Sequence, residues 1–236
     1  MSLPPESEAT RFKRLAAERA VEFISSGMVV GLGSGSTSAL VVHRLAALLK
    51  EGRLTGVVGV PTSLETEALA RSLGVPLTTL EEHPTLELTI DGADEVDPDL
   101  CLIKGGGGAL LREKIVAQAS RRKIIVVDES KLSPRLGTRW PVPVEVLPFG
   151  WRSQALFLEE LGARVVRREA REGGPYRTDQ GHFILDCAFG PIARPAELAA
   201  KLEARAGVVE HGLFIGLTSE LIVAGPKGVE HRRPVM

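Results

Sequence analysis

Between residues 28 and 127 the chain repeats one arrangement: a short apolar run, a loop carrying glycine or carboxylate, then a stretch with helical periodicity. The runs are Met28-Val29-Val30-Gly31-Leu32, Val57 to Val60, Leu86 to Ile90 and Lys123-Ile124-Ile125-Val126-Val127. Helical spacing returns from Thr37 to Lys50, in the stretch ending at Ser72, and from about Ala109 to Ser120. Strands this apolar must be covered on both faces, and intervening helices provide the cover, so the pattern predicts a parallel sheet. A further amphipathic helix through Phe12, Leu15, Ala16, Ala20, Phe23 and Ile24 precedes the first strand. Pro61-Thr62-Ser63-Leu64-Glu65 places a hydroxyl three residues before a glutamate, the pattern of a capping box at a helix start.

From about Pro141 the order changes. Val142 to Leu147 reads as a strand, Arg152 to Leu161 as a helix, Arg164 to Glu169 and Phe183 to Ala188 as strands, Pro195 to Ala206 as a helix, and Val208 to Phe214 as a last strand. That β-α-β-β-α-β order is the ferredoxin-like signature. Six elements complete such a unit, so Glu220-Leu221-Ile222-Val223-Ala224 must return to the first sheet. The expected fold class is therefore α/β, with a parallel-sheet domain over residues 1–131 and 215–236 and a ferredoxin-like α+β domain inserted over 132–214.

Composition excludes several classes of partner. With 29 basic and 30 acidic residues the net charge is −1, so no overall field recruits nucleic acid or an anionic membrane. No apolar run approaches the roughly 20 residues of a membrane span. Cys101 and Cys187 lie far apart in apolar contexts, and the start of the chain lacks the basic-then-apolar layout of a signal peptide, which points to the cytoplasm. An anionic ligand would have to be met locally.

Four segments could meet one. Gly31-Leu32-Gly33-Ser34-Gly35-Ser36-Thr37 packs glycines and hydroxyls between a strand and a helix, where exposed amides suit a phosphate. It is neither a dinucleotide fingerprint, because Ser36 occupies the sixth position, nor a Walker loop, because no Gly-Lys-Ser/Thr follows. Asp91-Gly92-Ala93-Asp94-Glu95-Val96-Asp97-Pro98-Asp99 carries five carboxylates directly after a strand but lacks EF-hand spacing; Asp97-Pro98-Asp99 reads as a solvated turn. Lys104-Gly105-Gly106-Gly107-Gly108 costs about 1 kcal/mol per glycine to order relative to alanine, which favours a backbone wrapped around an anion over a linker. Glu113 follows in the first turns of a helix, placed to complement its dipole or to act as a general base. Asp128-Glu129-Ser130-Lys131 is the fourth. The loops after strands 28–32, 86–90 and 123–127 all leave a parallel sheet at its carboxyl edge, where open α/β sheets bind ligands. The five histidines show no metal-ligand spacing and read as surface or core packing. No nucleophile elbow is present.

Taken together, Gly33-Ser34-Gly35-Ser36-Thr37, Asp91-Gly92-Ala93-Asp94-Glu95, Lys104-Gly105-Gly106-Gly107, Arg112-Glu113-Lys114, Lys131, Pro143-Val144-Glu145-Val146 and Gly212-Leu213-Phe214 resemble ribose-5-phosphate isomerases of the A type over nearly the whole chain. Ser34 stands where that family usually has threonine, and Gly108 where alanine is common. The resemblance implies a Rossmann-like domain with a ferredoxin-like insertion. It also implies interconversion of ribose 5-phosphate and ribulose 5-phosphate through a cis-enediolate, with neither metal nor other cofactor. By the same resemblance Glu113 is the base, while Asp91, Asp94 and Lys104 bind the sugar and assist ring opening or charge stabilisation. Ser34, Gly35, Ser36, Thr37, Asp91, Gly92, Ala93, Asp94, Lys104, Gly105, Gly106, Gly107 and Lys131 match substrate-binding segments. A homodimer or homotetramer is implied, with a pentose 5-phosphate as the small-molecule partner. The competing reading is a non-catalytic sugar-phosphate sensor of related fold.

Overall fold

The computed structural model describes residues 7–234; residues 1–6 and 235–236, which the expected domain limits include, lie outside the described residues. In chain order the elements are α1 Glu8–Val21, β1 Val29–Leu32, α2 Ser36–Lys50, β2 Val58–Pro61, α3 Leu64–Ser72, β3 Leu86–Asp91, β4 Glu95–Val96, β5 Leu102–Ile103, α4 Leu110–Ala119 and β6 Ser120–Asp128. A 3-10 turn, Glu129–Lys131, follows. Then come β7 Val142–Val146, α5 Trp151–Glu160, β8 Arg164–Arg167, β9 Phe183–Ala188, α6 Pro195–Glu203, β10 Val208–His211, β11 Leu213–Phe214, β12 Glu220–Gly225 and β13 Gly228–Arg232. The chain divides into two compact units, one of Met1–Gly92, Val116–Lys131 and Thr218–Met236, the other of Ala93–Ile115 and Leu132–Leu217.

The first unit is built on a six-stranded sheet in the order β13-β12-β6-β3-β1-β2. All neighbours are parallel except β13, which pairs antiparallel with β12 at the edge. Alternation along the strands divides the side chains between two faces. Val30, Leu32, Leu88, Ile90, Ile124, Val126, Ile222 and Ala224 pack with Ala16 and Ala20 of α1 and Val41 and Leu45 of α2. Val29 packs instead with Val60 and with Val116 of α4. Each fully buried aliphatic side chain contributes about 1.5–3 kcal/mol relative to an exposed one, which is why an all-apolar strand such as β1 is stable only here. The cap of α3 differs by one residue from the expected box. Ser63, not Thr62, is the N-cap, and its Oγ accepts the Thr66 amide at 3.0 Å, so Glu65 stays out of the capping exchange.

The second unit contains the ferredoxin-like order β7-α5-β8-β9-α6-β10, with an antiparallel sheet ordered β10-β7-β9-β8. Val142, Val144, Val146, Leu158, Phe183, Leu185, Cys187 and Leu202 form its core. The fold class is thus α/β, a Rossmann-like parallel sheet with a ferredoxin-like insertion. The last strand of the insertion departs from the sequence expectation. Val208 to Phe214 is not one strand: β10 pairs with β7, whereas β11 joins β5 and β4 in a separate three-stranded sheet. Gly212 makes the switch. Its amide donates to Pro143 O at 2.7 Å and its carbonyl accepts the Lys104 amide at 2.9 Å. A side chain there would lie 2.3 Å from Lys104 O, so only glycine lets the strand change sheets. The two compact units divide at 131/132 and 217/218, and the second also takes in an earlier segment. Residues 93–115 group with the second unit, because β4 pairs with β5, β5 pairs with β11, and Ile103 is buried in the second core.

Candidate active site

In the first unit, the loop from β1 to α2 closes over the end of β3. Gly33 approaches Asp91 so closely that a side chain would lie 2.1 Å from Asp91 Oδ1 and 2.6 Å from its Cα. That approach lets Asp91 Oδ1, on a buried side chain, accept from the Ser34 amide at 3.1 Å, the Gly92 amide at 2.7 Å and the Ser38 hydroxyl at 3.2 Å. The Ser34 hydroxyl turns inward to Thr62 and Ser63, both at 2.8 Å. Thr66 closes this cluster by donating to Gly33 O at 3.0 Å. Ser34 therefore shapes the loop. Gly35 and Ser36 remain exposed at the start of α2, and Thr37 is half-buried. Lys13 of α1 donates from Nζ to Ser36 Oγ at 3.1 Å. No sequence spacing links residues 13 and 36, so only the packing of α1 against α2 reveals this cation. Lys131 ends the turn after β6 and is half-buried.

In the second unit, Asp94 Oδ2 accepts the Gly106 amide at 2.7 Å, which ties the acidic segment to the glycine loop. Lys104 follows β5, and Glu113 lies in the first turn of α4. Their side chains are 4% and 6% exposed, with Nζ and Oε1 3.3 Å apart. Burying either charge alone costs several kcal/mol, whereas a close opposite charge offsets much of that cost. A second buried cation, Lys114, pairs with Glu210 at 2.5 Å and donates to His211 O at 2.8 Å. Burial pulls the Lys114 ammonium below its ordinary range, against the pull of Glu210. Burial, reinforced by Lys114, also pushes His211 down to about 3, so this imidazole is neutral at pH 7. The Phe214 ring receives both lysines, with Lys104 Nζ 5.5 Å and Lys114 Nζ 4.9 Å from its centre. A carboxylate beside a fixed ammonium in a dry setting is suited to removing a proton next to a carbonyl and holding the oxyanion that forms.

The predicted residues thus fall into two sets. Ser34, Gly35, Ser36, Thr37, Asp91, Gly92 and Lys131 belong to the first unit; Ala93, Asp94, Lys104, Gly105, Gly106, Gly107 and Glu113 belong to the second. Among the described residues, no group of three or more histidine, cysteine, aspartate or glutamate side chains is placed to hold a metal ion. Asp97 Oδ1 accepts the amides of Asp99 and Cys101, closing the turn expected at that position.

Over residues 58–228 the sequence matches the family model described as Ribose 5-phosphate isomerase A (phosphoriboisomerase A). The chain belongs to the ribose 5-phosphate isomerase A family. It is 60% identical over 219 residues to a ribose-5-phosphate isomerase A from Chloroflexus aurantiacus, covering 93% of this chain and 92% of that one. Among solved structures, a D-ribose-5-phosphate isomerase in complex with phospho-erythronic acid superposes with a TM-score of 0.94 at 38% identity, covering 96% of this chain and all of that one. The ribose 5-phosphate isomerase from Plasmodium falciparum gives a TM-score of 0.92 at 41% identity, over 95% and 98% of the two chains. The fold is therefore that of the ribose 5-phosphate isomerase structures.

Proposed function

We propose that this protein interconverts D-ribose 5-phosphate and D-ribulose 5-phosphate, an aldose-ketose isomerisation of the non-oxidative pentose phosphate pathway, with Glu113 as the general base. Glu113 takes the proton from C2 of the open-chain aldose. The C2–H electron pair becomes the C1–C2 double bond, and the carbonyl pair moves onto O1. Protonation of O1, loss of the O2 proton and return of the proton from Glu113 to C1 complete the ketose. The observation that carries this reading is the buried Lys104–Glu113 pair, which sets a base beside a charge already present when the oxyanion develops. Lys104 stabilises the enediolate, and Asp94, held by the Gly106 amide, assists ring opening and binds hydroxyls together with the Gly105–Gly107 backbone and Ala93.

The phosphate is assigned to the start of α2. A 15-residue helix presents amide groups and the positive end of its dipole there, and Lys13 adds a cation beside Ser36. Gly35, Ser36 and Thr37 supply amides and hydroxyls, and Lys131 a further positive charge. Asp91 acts by shaping this loop together with Gly92, since its Oδ1 already accepts from three donors. The sensor reading finds no support, because the relatives matched are isomerases by name. The protein is placed in the cytoplasm as a homo-oligomer; the unpaired thiols of Cys101 and Cys187 support a reducing compartment.

Glu113→Gln tests the assignment. Turnover is expected to fall at least 100-fold, in line with the roughly 10²–10⁴-fold contribution of a positioned base, while phospho-erythronic acid still binds within a few-fold of wild type. Near-normal turnover removes Glu113 from the mechanism. Loss of analogue binding in parallel with activity makes it a ligand contact instead.

A further inference from the structure

The glycine loop is gripped from outside the residues assigned so far. Arg168, just beyond β8, donates from Nη1 to Gly105 O at 2.9 Å and to Gly106 O at 3.1 Å. Its Nε and Nη2 donate to the two carboxylate oxygens of Asp186 on β9, at 2.9 and 2.5 Å. The backbone beneath it is also fixed, because the Arg168 amide donates to Ile184 O and its carbonyl accepts the Tyr176 amide, both at 2.9 Å. Tyr176 then donates its hydroxyl to Gly107 O at 3.1 Å. Three consecutive glycine carbonyls are thus held by two side chains of the ferredoxin-like sheet region.

The Gly105–Gly106 peptide is the decisive one. In a planar trans peptide the carbonyl and the following amide point in opposite directions. Arg168 holds the oxygen of this peptide, and Asp94 Oδ2 accepts its N–H at 2.7 Å. Guanidinium, peptide and carboxylate form one hydrogen-bonded line, in which each bond polarises the next. Glycine permits many orientations for this peptide, so without the guanidinium the N–H that anchors Asp94 has no fixed direction. Only a planar fork can bind a carboxylate through one edge while its remaining nitrogen reaches two carbonyls; an ammonium is a single point of charge.

We propose that Arg168, itself held by Asp186, is a positioning residue for the isomerisation, acting through the Gly105–Gly106 peptide on Asp94. The inference rests on the isomerase reading above and deepens it. Arg168 touches no reacting atom in this scheme. Its effect is geometric, and a misplacement of about 1 Å in a catalytic group costs on the order of 100-fold in rate.

The experiment measures kcat, KM and thermal unfolding for wild type, Arg168→Met, Arg168→Lys, Asp186→Asn, Asp94→Asn and the double variant Arg168→Met/Asp94→Asn, alongside the affinity for phospho-erythronic acid. Arg168→Met is expected to lower kcat 30- to 100-fold, with analogue affinity changed less than threefold to fivefold. Arg168→Lys is expected to recover no more than a few-fold of that loss, and Asp186→Asn to fall between it and wild type. The double variant is expected to lose less than threefold beyond Asp94→Asn, because both changes cut the same line. A kcat within threefold of wild type in a folded Arg168→Met overturns the proposal, and so does a double variant whose losses multiply. If Arg168→Met does not fold, Arg168→Lys and Asp186→Asn decide by the same limits. A wild-type protein without isomerase activity refutes the reading of the function; an active wild type with active Arg168 variants refutes this inference alone.

Discussion

Replacing Glu95 by alanine removes a fully buried carboxylate that four consecutive backbone amides use as their acceptor. Glu95 Oε2 accepts from Gly137 and Trp140 at 3.0 and 3.2 Å, and Oε1 from Thr138 and Arg139 at 3.2 and 3.1 Å. Hydrogen bonds to a charged group are worth about 1.5–3 kcal/mol each, so four would sum to roughly 6–12 kcal/mol if nothing opposed them. Two effects reduce that figure. Removing the carboxylate also removes its own desolvation cost, which is several kcal/mol, and the loop at 137–140 is exposed or half-buried, so water can reach the amides. The expected net loss is about 3 kcal/mol. For a chain of this length that corresponds to a melting point lower by roughly 6–12 °C. Local opening is the sharper measurement: about 3 kcal/mol is roughly a 100-fold loss of hydrogen-exchange protection at the amides of residues 137–140. Glu95→Gln retains one acceptor oxygen but sets an NH₂ group against N–H donors, and should fall between the two. A melting point within about 2 °C of wild type, with unchanged protection at those four amides, would refute the assignment of Glu95 as the anchor of this loop.

Two further outcomes follow from the same geometry. Gly33→Ala places a methyl group 2.1 Å from Asp91 Oδ1 and 2.6 Å from its Cα, so backbone must move; a loss of about 2–3 kcal/mol is expected by denaturant titration, and an unchanged midpoint would show that β3 yields freely at Asp91. For His211 the ordinary value is 6.5, and burial with Lys114 lowers it to about 3 in the folded protein, even with Glu203 and Glu210 carboxylates 3.4 and 3.9 Å from Nε2. The unfolded chain takes up this proton first, so the stability present above pH 6.5 is lost as pH falls toward 3, by about 1.4 kcal/mol at pH 5.5. His211→Gln should remove that part of the decline between pH 7.5 and 5.5 in urea midpoints; equal declines in the two proteins would contradict the buried neutral imidazole.

The strands at 29–32, 58–61, 86–91 and 142–146 could be read from the chain because most of their residues are buried and local apolar runs report it. β4, β5 and β11 have two residues each, too few for a period, and β13 is exposed along its whole length, so no pattern announced them. Glu95 and Arg168 illustrate a second limit. Each is a charged residue whose partners are backbone groups of a distant loop, and backbone acceptors and donors carry no signature in a sequence. Lys13 has the same character, meeting Ser36 only because two helices lie side by side.

Residue order alone determined the alternation that demands a covered parallel sheet, the ferredoxin-like insertion, and the cluster of glycine, carboxylate and lysine motifs that mark the isomerase family. These are properties of neighbours along the chain, where apolar periodicity and glycine spacing act over a few residues. Tertiary structure decided which groups meet: that Glu113 pairs with Lys104 in a buried position, that Asp91 shapes a loop, and that Arg168 and Asp94 hold the two ends of one peptide. A hydrogen bond or ion pair depends on ångström-scale distance and on exclusion of water, and only the packed chain sets both.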